Sequence, residues 1–185
     1  LGERLAWVWD RNAEQSLLGS LLVDNTAFDR VGDLLDAGDF FSKQHRTIYS
    51  VIASLISAGK PADSVSVGSV LRLDGSTLEE VGGAEYLEAL AVSVPSASHA
   101  RRYAEIVRER SLTRVLATAC DEAGTLVRQA GDATQKLDSI TTMFARLERK
   151  QLRNVPRDSN ALIVERIDHY SELAEGAIEA GWPTR

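Results

Sequence analysis

The sequence predicts an all-α protein: a small globular helical head, a long antiparallel helical hairpin, a linker and an isolated docking helix. Three observations carry this expectation. Apolar residues recur at three- and four-residue steps along most of the chain, the spacing that gathers them on one face of a helix. Aromatic residues make up only 6% of the 185 residues, so the core must come from Leu, Ile, Val and Ala. The one stretch that resembles a strand, Val65-Ser66-Val67, has too few β-branched residues and no partner strand within hairpin range. A hydrophobic fraction of 44% and a charged fraction of 26% are globular values and exclude general disorder.

Residues 1–11 read as an N-terminal extension containing Trp7 and Trp9, ahead of a head spanning 12–98. Asn12, with Gln15 three residues on, has the pattern of a capping box, which would satisfy otherwise orphaned backbone donors. Leu17, Leu18, Leu21 and Leu22 then share a face. Asp24-Asn25 ends that helix and starts a second, carrying Phe28, Val31, Leu34 and Leu35. Ser42 is placed to cap a third, whose stripe is Ile48, Tyr49, Ile52, Leu55 and Ile56, with Gly59-Lys60-Pro61 as its stop. A short helix runs through Leu73 to Asp74-Gly75. Val81-Gly82-Gly83 punctuates the chain before another, with Tyr86, Leu87 and Leu90, which Val94-Pro95-Ser96 ends.

From Ser98 the pattern lengthens. Tyr103, Ile106, Val107, Val115, Leu116, Ala119, Cys120, Ala123, Leu126, Val127 and Ala130 keep helical spacing until Gly131-Asp132 interrupts it. Leu137, Ile140, Phe144 and Leu147 follow in 3-4-3 steps, the narrow seam of a helix lying against another helix. Residues 99–150 thus form an antiparallel hairpin. Its two-sided stripe exceeds what one partner helix needs, which points to self-association through Leu137, Ile140, Phe144 and Leu147. Residues 151–160 lack periodicity, contain Pro156 and read as a linker. Beyond it, 161–180 form a helix with Ile163, Ile167, Tyr170, Ala174 and Ile178 on one stripe. A lone amphipathic helix is marginal in water, so this one is expected to dock elsewhere.

The net charge of −6 argues against a protein that simply coats nucleic acid. It is unevenly spread: residues 1–100 carry 7 Lys/Arg against 14 Asp/Glu, whereas 101–150 carry 10 against 7. Arg101, Arg102, Arg108, Arg110, Arg114 and Arg128 make the second segment basic, with only Tyr103 interleaved for base stacking. One cysteine, Cys120, permits no internal disulfide, fits a reducing, cytoplasmic setting, and lies in the apolar stripe as a core residue. No apolar run approaches a membrane span. The only Gly-Lys, Gly59-Lys60, is followed by Pro61 and lacks the upstream glycine of a phosphate-binding loop. His45, His99 and His169 are far apart, and no Cys/His cluster has metal-ligand spacing. No catalytic, cofactor-binding or metal-binding residue is expected in this chain. His45 is expected to pack or cap near the start of its helix.

Several fragments, in order, carry a family resemblance. They are Ala13-Glu14-Gln15-Ser16-Leu17-Leu18-Gly19, Asp39-Phe40-Phe41 with His45 and Ile48-Tyr49, and Val81-Gly82-Gly83 with Tyr86-Leu87. Val94-Pro95-Ser96-Ala97 and Tyr103-Ala104 with Ile106-Val107-Arg108-Glu109 complete them. Over residues 12–110 this succession resembles the N-terminal region of replicative DNA helicases of the DnaB type, and Gly181-Trp182-Pro183-Thr184 looks like the start of that family's motor domain. The family usually has a proline-containing lead-in, where this chain has Leu5-Ala6-Trp7-Val8-Trp9.

The resemblance implies the collar and partner-docking region of a hexameric ATP-dependent helicase for DNA replication. The hairpin would pair with a neighbouring subunit, and the linker helix would dock on the next motor domain. Primase and a helicase loader would be partners, and DNA would pass through the parent ring rather than bind this region. ATP and magnesium would belong to the full-length parent, so the chain alone is expected to have no motor activity. An alternative is a free-standing adaptor, since the helicase-binding end of bacterial primases resembles this fold. A DNA-binding helical regulator fits less well, because residues 1–100 are acidic.

Overall fold

The computed structural model describes residues 8–73, 77–94 and 96–153, and among them the secondary structure is entirely helical. Trp7, the linker residues past Arg153, the helix residues Ile163, Ile167, Tyr170, Ala174 and Ile178, and the segment 181–185 lie outside the described residues. The described residues lie in one compact unit.

Helix α1 spans Arg11–Val23. Its cap is Asp10, whose Oδ1 accepts from the Ala13 amide at 2.9 Å. The expected cap at Asn12 is therefore displaced by two residues. Asp10 takes the amide three residues on as the helix's first cap bond, and Gln15 is engaged instead with the Tyr86 hydroxyl at 3.0 Å. Leu17, Leu18 and Leu21 are fully buried, and α1 packs on two other head helices, 43–57 and 83–92, and on the first helix of the hairpin. Val8 is fully buried as well, so part of the stretch read as an extension belongs to the head.

The second helix of the sequence reading is only a 3-10 turn, Asn25–Arg30, followed by turn residues. The cause is local bonding. Asp24 Oδ1 accepts from the Thr26 amide and hydroxyl, and Asn25 bonds the carbonyls of Leu21 and Ala62 and the Ala62 amide. Such side chains offer the backbone an alternative to the α-helical ladder. Phe28 and Leu34 still pack against the core, and Val31 and Leu35 are buried in it.

Helices α2 (Lys43–Ser57), α3 (Ser64–Leu73), α4 (Thr77–Glu80) and α5 (Gly83–Val92) complete the head. Ser42 stands at the cap position of α2 but makes no side-chain capping bond. Gly82 and Gly83 take φ values of +98° and +78°, which a side chain rarely adopts, so the chain can turn into α5 there. At Gly19 a methyl group would overlap the Leu90 carbonyl oxygen and Val94 Cγ2, so α1 and α5 approach to backbone contact.

A 3-10 turn, Ala97–His99, capped by Ser96, leads into α6, Ala100–Arg128. Gly131, at φ +140°, reverses the chain into α7, Ala133–Arg153. The two form the expected hairpin, but α7 continues three residues into the stretch read as linker. Among the described residues no helix is long and apolar enough to cross a membrane.

Candidate interaction surface

The first half of α6 belongs to the head: Ala100, Ala104, Val107 and Ser111 are buried against it. What fixes its direction is a buried polar joint on Asp39. This carboxylate, 5% exposed, accepts from Arg108 Nη1 at 3.0 and 3.2 Å, from Ser111 Oγ at 2.7 Å and from the Asp36 amide at 2.9 Å. Arg114 adds bonds to the carbonyl oxygens of Asp39 and Val8, and its guanidinium lies over the Phe41 ring, 5.6 Å from the centroid. Arg108, Ser111 and Arg114 are three residues apart, so one side of α6 grips the Asp39-Phe40-Phe41 segment. Arg46 of α2 holds the same segment through the Phe40 and Phe41 carbonyls. Burial pulls the Arg114 guanidinium below its usual range; Arg46 adds to this while Glu14 and Asp39 oppose it.

A second buried polar chain lies inside the head. Glu14 Oε1 accepts from the Phe41 amide at 2.6 Å, and Oε2 lies 2.6 Å from His45 Nδ1. His45 Nε2 is 2.7 Å from the Tyr86 hydroxyl, which also accepts from Gln15. Glu14 and His45 are each 1% exposed. With Nδ1 donating to the carboxylate and Nε2 accepting from the tyrosine, every group in the chain is satisfied, as buried polar groups require. The site therefore joins α1, α2 and α5 rather than presenting a nucleophile. His45 packs near the start of its helix, as expected, but as the centre of a network the sequence did not reveal.

Toward its tip the hairpin leaves the head and several of its apolar residues lose cover. Leu116 is 42% exposed, Val127 59% and Leu137 66%. Ile140, Phe144 and Leu147 are half-buried, and with Leu112, Leu116 and Ala145 they line an open groove of roughly 600 Å³. The four seam residues thus share the outer helix of the hairpin, three of them in the groove and Leu137 standing proud. Cys120 is exposed, not core: beyond Ala119 the stripe has no head residue to pack against.

The basic cluster does not form one surface. Arg108 and Arg114 are committed to the Asp39 joint, whereas Arg101 and Arg102 pair with Glu105 on the exposed side of α6. Among the described residues no group of three or more His, Cys, Asp or Glu side chains could hold a metal ion.

The family model for the DnaB-like helicase N-terminal domain matches residues 9–109. The chain is 43% identical over 124 residues to the replicative DNA helicase DnaB of Mycobacterium leprae, covering 67% of this chain and 20% of that protein. It is 31% identical over 167 residues to the replicative DNA helicase DnaB of Pasteurella multocida, covering 88% and 36%. The chain thus spans about a fifth to a third of the curated relatives it matches. In structure it resembles the N-terminal domain of DnaB helicase from Mycobacterium tuberculosis, with a TM-score of 0.70 and 34% identity over 75% of this chain and 97% of that one. A DnaB-like replicative helicase, solved in a study of its interactions with primase, shares the fold at a TM-score of 0.63 and 21% identity, over 86% of this chain and 35% of that one.

Proposed function

The chain belongs to the DnaB-like helicase N-terminal domain family, and from that premise we propose that it is the collar of a hexameric, ATP-dependent replicative DNA helicase. Its work is assembly and docking. The carrying observation is the hairpin: its first half is locked to the head through Asp39, while the outer seam Leu137, Ile140, Phe144 and Leu147 keeps an apolar face and a groove without cover. A face of that kind on a soluble chain marks a contact surface. The occupant is the hairpin of a neighbouring subunit, and successive pairings organise the ring.

Primase and a helicase loader dock on the assembled collar, and DNA runs through the ring. ATP and magnesium act in a motor domain, for which residues 1–185 contain no glycine frame leading to Lys-Ser/Thr. The helix expected at 161–179 docks on the neighbouring motor and carries its nucleotide state between subunits. The greater length of the matched helicases supports this reading over the free-standing adaptor.

Light scattering tests it. The chain should run as a dimer or larger at high concentration, and Phe144→Asp should weaken association by about 3 kcal/mol, the cost of burying an unpaired charge. That corresponds to a dissociation constant raised roughly a hundredfold or more. A monomeric unmutated chain, or an unchanged Phe144→Asp assembly, would place the interface elsewhere.

A further inference from the structure

Three guanidinium groups meet where α2 and α6 grip the Asp39-Phe40-Phe41 segment, and the carboxylate there serves one of them. Asp39 pairs with Arg108 at 3.0 Å. Arg46 and Arg114 bond backbone carbonyls instead, Arg46 those of Phe40 and Phe41, Arg114 those of Asp39 and Val8. Among the described residues neither has an ion-pair partner. A guanidinium carries five N–H donors, so two carbonyl bonds each leave both groups with donors to offer. The two also lie close enough for Arg46 to oppose the charge on Arg114, while Asp39 and Glu14 support it. Glu14 does so from inside the head, where the Phe41 amide and His45 hold its oxygens.

Both arginines line one cavity of roughly 350 Å³, where the head meets the two helices of the hairpin. That is room for a small molecule. Val115, Met143 and Leu147 give the cavity an apolar side, and Glu122, exposed, is the only carboxylate in its lining. The Ser111 and Thr118 hydroxyls there already donate, to Asp39 and to the Arg114 carbonyl, so the donors left for a ligand are those of the arginines. Two neighbouring guanidinium groups favour a ligand with several charged oxygens in one place. A phosphate can accept from both at once in the paired geometry that guanidinium prefers, whereas a single carboxylate serves one. A bare phosphate would leave the apolar side uncovered. A nucleic-acid strand fits less well, since each of its phosphates carries one charge and is flanked by sugars. We propose that this cavity binds a small phosphate monoester, its phosphate between Arg46 and Arg114 and an apolar body against Val115, Met143 and Leu147. Such a ligand ties α2 to α6 beside Asp39, so its binding strengthens the joint that sets the direction of the hairpin.

Calorimetric titration of the full chain with phenyl phosphate, glycerol phosphate and inorganic phosphate tests this. Phenyl phosphate should bind most tightly, because it alone has both the anion and the apolar body. Arg46 is exposed, so Arg46→Gln should fold, as a thermal melt without ligand can verify. It should weaken phenyl phosphate about tenfold or more, the loss of a charge-assisted bond. Glu122→Gln removes the repelling charge and should tighten binding a few-fold. A gain of that sign is not what a merely disturbed joint would give. Absence of binding by all three compounds at millimolar concentration would overturn the proposal, as would a folded Arg46→Gln chain with unchanged affinity. Glycerol phosphate or inorganic phosphate binding as tightly as phenyl phosphate would overturn the assignment of the apolar side. None of these failures would touch the collar reading, which rests on the hairpin seam.

Discussion

Asp39 shows how one residue can decide where a long helix points. Its carboxylate is buried and bonded to Arg108, Ser111 and the Asp36 amide, so the charge is compensated on several sides. Removing it with Asp39→Ala takes the carboxylate out of a buried joint with Arg108 and Ser111, and breaking a buried pair in this way costs about 3–5 kcal/mol. Urea denaturation should report that loss, and a change under 1 kcal/mol would mean that the joint is solvated. Tyr49 gives a pH test. Burial, reinforced by Asp39 and Asp36, pushes its hydroxyl up to about 12 from the model-compound value of 10.0. The unfolded chain therefore loses this proton first, and stability is intact below pH 10 and falls as pH rises toward 12. The loss should be about 2–3 kcal/mol. Tyr49→Phe should flatten that part of the profile, and an equally steep fall in the variant would assign it to other groups. Asp39-Phe40-Phe41 and His45 stand among the fragments that carry the family resemblance, but the sequence does not show their partners. Glu14–His45 and Asp39–Arg108 lie 31 and 69 residues apart, and no local period reports such pairs.

At the scale of the helices, punctuation and periodicity were legible wherever a segment packs along one continuous face. α1, α2, α3 and α5 lie close to where their stripes and stop signals put them. The failures have a common cause, competition from short polar side chains. Asp10, not Asn12, caps the start of α1, and Asp24 and Asn25 divert Asn25–Arg30 into 3-10 turns. Cys120 fails differently: helical spacing marks a stripe but not how far the covering head extends along it. The glycine pair before α5 separates two effects. Both have positive φ, so alanine at either should cost roughly 1–2 kcal/mol. At Gly82 the new methyl would also press on Tyr86 Cβ, 3.0 Å away, whereas at Gly83 it meets nothing within 4 Å. Thermal melts should therefore rank Gly82→Ala below Gly83→Ala, and the reverse order would show that Tyr86 yields freely. Because Tyr86 holds His45 and Gln15, a shift there reaches α1 and α2.

Across the whole chain, stability should be graded from the head outward, because cover is. Residues 11–111 surround a continuous apolar core with two satisfied polar networks, whereas the far half of the hairpin keeps its apolar residues partly in water. The segment 161–179 has a stripe at 163, 167, 170, 174 and 178, one apolar residue per turn, and the seven residues between α7 and that segment could span at most ~23 Å. Such a helix gains little by itself, since a single amphipathic helix owes most of its stability to what it packs on. Amide hydrogen exchange should order these regions when the chain is held below its association concentration. Exchange should be slowest in α1, α2 and the first half of α6, faster toward residue 128 and through α7, and fast throughout 161–179. Raising the concentration should slow α7 and the stretch of α6 around Leu112 and Leu116 but not 161–179, because hairpin pairing covers the groove but supplies no motor domain for the last helix. Protection at 161–179 in a verified monomer would mean that Ile163, Ile167 and Tyr170 pack on the chain's own body. In that case they could not link one subunit to the next motor domain without first being released, and the proposed coupling role for this segment would be lost.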